Sequence, residues 1–278
     1  MAEIFLSLAV LAYFAASAVW IAFFLAQREG LCRWGVLALA GGWGAQTLAL
    51  ALRALALGRL PMATLGEALL ILSWALVATF LVLYWRLPIK VLGTLAAPLA
   101  ALMVSGGLIL PGGGKGEVSP HLSSFWVHLH AVLTFLGVAA LTLAGLSGLL
   151  YLIQERDIKR KKFGFFYRRL PSLTQLDRLN HLSLAAGFPL LTLGLISGSL
   201  YAQYTMGRFF NWDPKEILAV TGWLVYAVLL HERLTVGWRG RRAAWLALTG
   251  LTVLAVTFVG ANLWFGGYHS FSRFSGQP

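Results

Sequence analysis

Residues 207–216 read Gly207-Arg208-Phe209-Phe210-Asn211-Trp212-Asp213-Pro214-Lys215-Glu216 and separate two long hydrophobic runs, 182–203 and 217–236. Each run is long enough to cross a membrane, which takes about 20 mostly apolar residues. A short aromatic and charged segment between two such runs has to lie at a membrane surface. Its aromatic side chains offer a face to a flat ligand, and its charges can hold the polar edge of that ligand.

The composition of the 278-residue chain is that of a membrane protein, since 59% of its residues are hydrophobic, 12% are charged and the mean hydropathy is +0.76. A soluble domain of this length needs more polar surface. The net charge is +12, and the basic residues lie between the apolar runs. This position indicates contact with anionic membrane lipid and not with nucleic acid. The single cysteine, Cys32, excludes an internal disulfide, so any thiol chemistry has to use a partner's cysteines.

Hydropathy predicts an all-α polytopic membrane bundle of about eight transmembrane helices, forming a single integral membrane domain over residues 1–278. No cleaved signal is expected, because the first run is long and weakly basic at its start. No internal repeat is expected either. The predicted spans are 4–25, 34–57, 63–85, 88–110, 125–153, 182–203, 217–236 and 243–265.

The basic residues alternate between connecting segments, which predicts the orientation of the chain. Lys and Arg concentrate after the odd-numbered spans, above all in the segment 154–181, and the positive-inside rule puts these segments in the cytoplasm. Both termini and the segments 111–124 and 204–216 are then external. Arg53 and Arg59 lie near an external segment and fit this orientation least well.

Histidines collect at the same external face. His128 and His130 stand at the outer start of the fifth span, and His269 follows the outer end of the eighth. Two neutral imidazoles on opposite sides of a porphyrin complete the axial coordination of haem iron. A helix turns residues two apart by about 200°, so at most one of His128 and His130 faces a shared site. A single interfacial histidine more often only bonds water or headgroups, and the shared location with the aromatic segment favours the ligand hypothesis.

His231 ends the seventh span near the cytoplasmic boundary, beside Glu232 and Arg233. Its position alone favours a polar residue that caps a span at the interface. The functional alternative is a second, deeper ligand site on the inner side.

The run Asp213-Pro214-Lys215-Glu216 has a structural explanation as a helix start, with Asp as the N-cap, Pro in the first turn and Glu three residues after the cap. The run Thr64-Leu65-Gly66-Glu67 repeats this pattern at the start of the third span, which makes Glu67 a helix-start carboxylate. A helix N-terminus also favours anionic groups, and haem propionates are such groups.

The charged and aromatic side chains of residues 207–216 have two interpretations. Lys215 and Arg208 can pair directly with propionates. Trp212, Phe210 and Phe209 form either a stacking face for a porphyrin or the ordinary aromatic belt of a membrane protein.

These residues resemble the haem-handling membrane proteins of cytochrome c biogenesis, and most closely the CcsA (ResC) branch of the system II cytochrome c synthase. The external loop of that family typically reads Trp-Gly-x-x-Trp-x-Trp-Asp-Pro-Lys-Glu. Here Met206 and Phe210 stand where Trp is usual, which implies either a looser hold on haem or stacking by Phe210, and Thr64 stands where Asn is usual. Four segments within residues 58–270 carry the resemblance: Gly58-Arg59-Leu60-Pro61 through Thr64-Leu65-Gly66-Glu67 to Trp74, Trp126-Val127-His128-Leu129-His130, Leu224-Val225-Tyr226-Ala227-Val228-Leu229-Leu230-His231, and Asn262-Leu263-Trp264 through His269-Ser270.

The resemblance implies haem b as the substrate, with His130 and His269 as external ligands of its iron and His231 as a transmembrane ligand. It implies that haem from the cytoplasmic side is attached to the cysteines of an apocytochrome c Cys-x-x-Cys-His motif. The implied partners are a CcsB-type membrane protein, apocytochrome c and a thiol reductant protein. The implied location is a bacterial inner or plasma membrane, or a thylakoid membrane.

Three other functions stay open at this point. A haem-delivery protein like CcmC hands haem to a chaperone, although such chains are usually shorter and have six spans. A solute transporter unrelated to haem predicts a midplane cavity lined by broken helices. A structural subunit that only supports a partner predicts that the histidines are dispensable.

Overall fold

The computed structural model describes residues 1–87, 90–110, 124–162 and 164–260, and within these ranges the chain is a bundle of helices. A 3₁₀ turn, Lys90–Leu92, precedes the fourth helix, and a π-helical turn, Val256–Gly260, follows the eighth. The α-helices are α1 (Ala2–Ala26), α2 (Gly30–Leu57), α3 (Leu65–Arg86), α4 (Gly93–Ile109), α5 (Phe125–Lys159), α6 (Leu173–Met206), α7 (Pro214–Thr235) and α8 (Arg241–Ala255).

Seven helical segments in the described part of the chain are long and apolar enough to cross a membrane, which confirms the predicted all-α membrane bundle. The eighth predicted span, 243–265, begins within α8 and continues through the π-helical turn. Its residues 261–265 lie outside the described residues.

Two helices extend beyond their predicted spans into the basic segment 154–181. The last turn of α5 contains an ion pair between Lys159 and Glu155 at 2.8 Å, and α6 begins behind a capping box formed by Ser172 and Gln175. Hydropathy does not find these turns because they are polar, whereas local pairing and capping keep them helical. The connection between α5 and α6 is therefore shorter than the basic segment.

The bundle consists of two four-helix units, α1–α4 and α5–α8, with the same pattern of contacts. In each unit, consecutive helices pack against each other and the first helix also contacts the fourth. Each unit has its own apolar core, built around Trp20, Tyr13 and Phe80 in the first and around Tyr226 in the second. The units meet because α5 also packs along α3.

A buried polar network fixes α1, α2 and α3 relative to one another. The Tyr13 hydroxyl donates to Gln46 Oε1 at 2.7 Å, and Gln46 Nε2 donates to Ser73 Oγ at 2.7 Å and to the Leu70 carbonyl at 2.9 Å. Both the oxygen and the nitrogen of the Gln46 side-chain amide are thus hydrogen-bonded inside an apolar core, where an unmade hydrogen bond is costly. The network therefore specifies the register of three helices.

The α5–α6 pair has the most extensive helix interface and depends on small residues. A Cβ atom built on Gly137 would lie 2.6 Å from the Leu191 backbone nitrogen, and one built on Gly187 would lie 2.8 Å from Leu141 Cγ. Only glycine allows the backbones this approach, as is common where membrane helices pack tightly.

The two units carry a repeated set of residues, which corrects the expectation that the chain has no internal repeat. The two glycines of the set each end a helix in the left-handed conformation, with φ of +66° and +69°. The two N-cap residues each accept a backbone N–H of the following helix. Equivalent residues of the two units are separated by 149 positions in the sequence. The pairs are Gly58 and Gly207, Arg59 and Arg208, Thr64 and Asp213, Glu67 and Glu216, and Trp74 and Trp223.

Side-chain contacts of the two tryptophans repeat as well. Each tryptophan stacks on an aromatic ring of the preceding helix, with ring centroids 5.6 Å apart and planes at 24°. Each indole N–H also donates to a threonine hydroxyl one turn beyond that ring, at 2.8 Å in the first unit and 2.9 Å in the second. The stacking and threonine partners are Trp43 and Thr47 for Trp74, and Phe188 and Thr192 for Trp223. The chain therefore contains one four-helix arrangement twice in the same orientation, as in parallel-repeat membrane proteins.

Candidate functional site

Three parts of the chain meet at one end of the bundle. The helices α2 and α6 end there, and the helices α3 and α7, which follow them in the chain, begin there. The helix α5 also begins there, because it runs antiparallel to α6. The segment 58–64, the first turns of α5 and the segment 207–213 therefore share the end that the charge pattern predicts to be external.

His130 is held in the interface between α5 and α6. Its Nδ1 lies 2.6 Å from the Gly194 carbonyl oxygen, and its ring packs against Gly198. Because a carbonyl oxygen only accepts, Nδ1 carries the proton and the lone pair of the neutral ring is on Nε2. Metal-ligating histidines in proteins are commonly fixed in this way, by donation from the other ring nitrogen to a carbonyl or carboxylate.

His128 has a different neighbour, as its two-residue spacing from His130 on a helix predicts. Its Nε2 accepts from the Leu60 backbone N–H at 3.4 Å. The imidazole of His128 therefore ties α5 to the segment 58–64, whereas His130 faces α6.

A buried ion pair organises the segment 58–64. Arg59 Nη1 lies 3.1 Å from Glu67 Oε2, and the two side chains are 6% and 4% exposed. The same carboxylate oxygen accepts from the Ala63 backbone N–H at 2.7 Å, and Arg59 Nη1 also donates to the Leu60 carbonyl at 2.9 Å. Glu67 is thus more than a helix-start carboxylate, because it fixes the whole segment against α3.

Replacing Glu67 with Ala is expected to destabilise the protein by about 3–5 kcal/mol, because the guanidinium of Arg59 is left buried without its counter-charge. Thermal unfolding in detergent checks this result. The control is Glu3→Ala, which breaks the exposed Arg53–Glu3 pair of 2.8 Å and is expected to cost at most about 1 kcal/mol. Equal losses in the two variants would contradict a special role for the buried pair.

The aromatic residues of the segment 207–213 lie on its outer surface. The Phe210 and Trp212 rings meet edge to face, with centroids 5.1 Å apart and planes at 86°. Trp212 is 77% exposed and holds a left-handed backbone with φ of +56°, and Phe209 is also exposed. This geometry turns apolar ring faces away from the bundle, where they are accessible to a flat ligand.

The charged residues of this segment divide into structural and exposed groups. Asp213 is buried and its Oδ1 accepts from the Lys215 backbone N–H at 2.8 Å, while Glu216 Oε2 accepts from the Asn211 backbone N–H at 2.7 Å. Asp213 is the N-cap of α7, as the capping pattern predicts, whereas Glu216 bonds Asn211 and not the N-cap backbone, so it fixes the segment before the helix. Arg208 is exposed and Lys215 is half-buried, so of these two cations Arg208 is the more accessible to solvent.

His231 lies at the opposite end of the bundle from His130, on an exposed face of α7. The neighbouring face of α7 is buried, where Arg233 pairs with Asp177 at 2.7 Å. His231 therefore points away from the helices of this chain. His269, the other predicted external ligand, lies outside the described residues.

Sequence reasoning gave no role to His181, which lies one helical turn beyond Asp177 on α6. Its Nδ1 is buried and has no hydrogen-bond partner in the part of the chain that the structure describes. Nor did the sequence point to Gly194 and Gly198, because their importance comes from a contact across two helices. No group of three or more metal-binding side chains occurs among the described residues.

Comparisons with known proteins agree with this architecture. Residues 62–269 match the family described as Cytochrome C assembly protein. The Cytochrome c biogenesis protein CcsA of Guillardia theta is 32% identical over 243 residues, which cover 81% of this chain and 81% of that protein. The protein of the same name from Synechococcus sp. (strain CC9605) is 32% identical over 78% of this chain and 79% of its own length. That of Chlamydomonas reinhardtii is 34% identical over 78% of this chain and 62% of its own length.

A solved structure, named Cytochrome c Heme Lyase CcmF, has the same fold with a TM-score of 0.64 at 17% sequence identity. The match covers 99% of this chain and 49% of that structure, so this chain spans about half the length of that protein. The similarity at this identity concerns the fold alone.

The family match and the membrane-spanning helices define a multi-pass membrane protein of cytochrome c assembly. The chain belongs to the CcsA-type cytochrome c biogenesis proteins. Its role therefore lies in cytochrome c biogenesis, and that role involves the handling of haem.

Proposed function

We propose that this chain, together with a CcsB-type partner, holds haem b at the outer end of the bundle and attaches it covalently to apocytochrome c. The observation that carries the proposal is the fixed imidazole of His130. Its Nδ1 donates to the Gly194 carbonyl at 2.6 Å, so Nε2 is the ring nitrogen that would bind iron.

The external site has side chains for the iron, the porphyrin face and the propionates of haem. His130 and His269 are the axial ligands of the iron. Trp212 and Phe209, supported by Phe210, supply the face that stacks on the porphyrin.

Arg208 and Lys215 meet the negative charge of the propionates, since Arg208 lies in the segment before α7 and Lys215 lies in the first turn of that helix. Asp213 contributes indirectly by fixing the start of that helix.

The chemistry at this site is the addition of two cysteine thiols of a Cys-x-x-Cys-His motif across the two haem vinyl groups. Each addition forms one carbon–sulfur bond and transfers the thiol proton to the adjacent vinyl carbon, so the step consumes no oxidant. A thiol reductant protein keeps the cysteines reduced beforehand. The residues of this chain orient the haem edge toward the thiols, while the porphyrin supplies the reactive groups.

A second haem position involves His231 as a transmembrane ligand. Its side chain lies on an exposed face of α7, at the end of the bundle away from His130. A histidine that faces outward suits a haem shared with a second membrane protein, which is the place for the CcsB-type partner. The location that this function requires is a bacterial inner or plasma membrane, or a thylakoid membrane.

The relationship to proteins named CcsA favours this function over its alternatives. Delivery of haem to a chaperone is less well supported, because the relatives match over about 80% of the chain. A solute transporter unrelated to haem has no support from the family match, which covers residues 62–269. A purely structural subunit does not require the orientation of His130 by Gly194.

The test of the proposed function expresses this chain and a CcsB-type partner with an apocytochrome c reporter, in a bacterial host without its own maturation system. Haem bound covalently to the reporter is expected only when both proteins are present, detected by haem staining after denaturing electrophoresis. The purified complex is expected to have a haem Soret band. Equal haem attachment without this chain would refute the proposal.

Replacing Trp212 with Ala is expected to weaken haem retention by about 3- to 10-fold, because one aromatic stacking contact contributes about 0.5–1.5 kcal/mol. The measurement is the Soret absorbance per mole of purified complex. The control is Trp85→Ala, since Trp85 is 88% exposed at the other end of α3. A similar loss of haem in both variants would mean that the effect is not specific to the segment 207–213.

A further inference from the structure

Arg59 has a donor that the fold does not use. Its Nη1 donates to Glu67 Oε2 at 3.1 Å and to the Leu60 carbonyl at 2.9 Å. Its Nη2 is buried and has no hydrogen-bond partner within the described ranges. The residue as a whole is 7% exposed, so bulk water is a poor substitute for a partner.

An unused donor on a buried guanidinium needs an explanation, because leaving a charged group unsatisfied costs more than leaving a neutral one. Lysine would satisfy Glu67 with a single ammonium group. Arginine instead holds Glu67 with one nitrogen and keeps a second donor at a fixed angle to the first. The Arg59–Glu67 pair therefore holds the guanidinium in place and leaves its Nη2 available to a further hydrogen-bond acceptor.

The position of Arg59 connects it to the candidate haem site. The Leu60 carbonyl accepts from Arg59, and the Leu60 N–H donates to His128 Nε2 at 3.4 Å. His128 is two residues from His130, in the same two turns of α5. A single residue, Leu60, thus links the guanidinium of Arg59 to the helix that carries the predicted iron ligand.

The internal repeat gives an independent argument. Arg59 and Arg208 occupy equivalent positions, each directly after the left-handed glycine that ends a helix. Glu67 and Glu216 are equivalent as well, and each accepts a backbone N–H of its own segment. Each four-helix unit therefore contributes one arginine to the same end of the bundle.

We propose that Arg59 is a carboxylate-binding residue and that it takes one propionate of haem, with Arg208 of the second repeat and Lys215 at the start of α7 taking the other. This inference rests on the proposed function, since it names the part of haem that each repeat recognises. A carboxylate supplies the acceptor that Arg59 Nη2 lacks, and charge-assisted hydrogen bonds of this kind are the strong ones. Glu67 acts as a positioning residue, because it touches the guanidinium and not the ligand.

The experiment compares haem with haem dimethyl ester, in which both carboxylates are esterified. Each ligand is titrated into the purified complex of the full chain and its CcsB-type partner, and the Soret band gives the affinity. The wild type is expected to bind haem about 100-fold more tightly than the diester, at about tenfold for each charged contact. Arg59→Lys keeps a charge for Glu67 and loses the second nitrogen that the planar guanidinium holds at a fixed angle, so it is expected to reduce the ratio to about tenfold.

A matched control and a stability measurement separate binding from folding. Arg53→Gln, which removes the exposed partner of Glu3, is expected to keep the 100-fold ratio. Thermal unfolding of Arg59→Lys identifies any loss of folded protein, and Arg59→Gln provides a second variant without the charge. An unchanged haem-to-diester ratio in folded Arg59→Lys would overturn the inference and leave Arg59 with a structural role only. If the wild type binds neither ligand, the proposed function itself fails.

Discussion

Replacing His130 with Ala is expected to abolish the external haem site, with at least about a 100-fold loss of covalent haem attachment to an apocytochrome c reporter. The reason is that His130 is the histidine of α5 whose ring is fixed in the α5–α6 interface, by the Gly194 carbonyl at 2.6 Å. The measurements are haem staining of the reporter and the Soret spectrum of the purified complex.

Two controls make this prediction specific. His128→Ala removes only a 3.4 Å hydrogen bond to Leu60, and we expect it to retain haem with a stability loss of about 1 kcal/mol. Free imidazole added to the His130→Ala complex is expected to restore part of the low-spin haem spectrum, because it refills the vacated ligand position. A Soret spectrum of His130→Ala identical to the wild type, with undiminished reporter maturation, would remove His130 from the site.

The sequence alone was sufficient for the membrane bundle and for the capping of α3 and α7. Spans follow from the burial of apolar runs in lipid, and caps depend on residues within four positions of each other. Both are local properties. The same reasoning misplaced the ends of α5 and α6, because polar turns such as the one with Glu155 and Lys159 are helical without being hydrophobic.

The orientation of the histidines was not predictable from the sequence, because it depends on contacts between distant residues. Helical spacing indicated that His128 and His130 face different ways, but not which of them meets α6. That choice is made by Gly194 and Gly198, which lie far along the chain and have no side chain to mark them. The partner of Arg59 was hidden for a similar reason, since Glu67 also fits a simple helix start.

Two arginines that fitted the predicted orientation poorly have a physical explanation in the fold. Arg53 pairs with Glu3 at 2.8 Å, and Arg59 pairs with Glu67 at 3.1 Å. Neither is a free positive charge at the end of the bundle that is predicted to be external. The positive-inside rule counts Lys and Arg whether or not they are paired, so these ion pairs explain how the two side chains are accommodated, and the orientation stays a prediction.

The repeat was hidden by a difference in helix length. The interval from the stacking ring to the left-handed glycine is about one helical turn longer in α6, from Phe188 to Gly207, than in α2, from Trp43 to Gly58. The separation of 149 residues between equivalent positions therefore does not extend through α2 and α6, although the contacts at the ends of these helices are the same. In the folded chain the equivalent residues of the two units make the same contacts, so the repeat is visible despite the extra turn in α6.

Replacing Gly198 with Ala is expected to reduce haem retention by about 10- to 100-fold without changing any ligand, as is typical when the support of a metal-binding histidine is altered. A Cβ atom at this position would lie 2.6 Å from His130 Nδ1 and 2.7 Å from Cε1. The imidazole has to move, because the glycine lies on a helix that packs closely along α5. Its movement breaks the hydrogen bond to Gly194 and turns Nε2 away from the position of the iron.

The matched control for this substitution is Gly44→Ala, on α2, where no atom lies within 4 Å of the added Cβ. Both changes replace glycine by alanine inside a membrane helix, so the general gain in helix propensity of about 0.5–1 kcal/mol is shared. Haem retention and the Soret maximum are expected to change only in Gly198→Ala, whose thermal unfolding also reflects the loss of one hydrogen bond, about 0.5–1.5 kcal/mol. If Gly198→Ala retained haem as well as Gly44→Ala, the orientation of His130 by α6 would have no part in ligand binding. The haem ligand at this end would then have to be sought elsewhere.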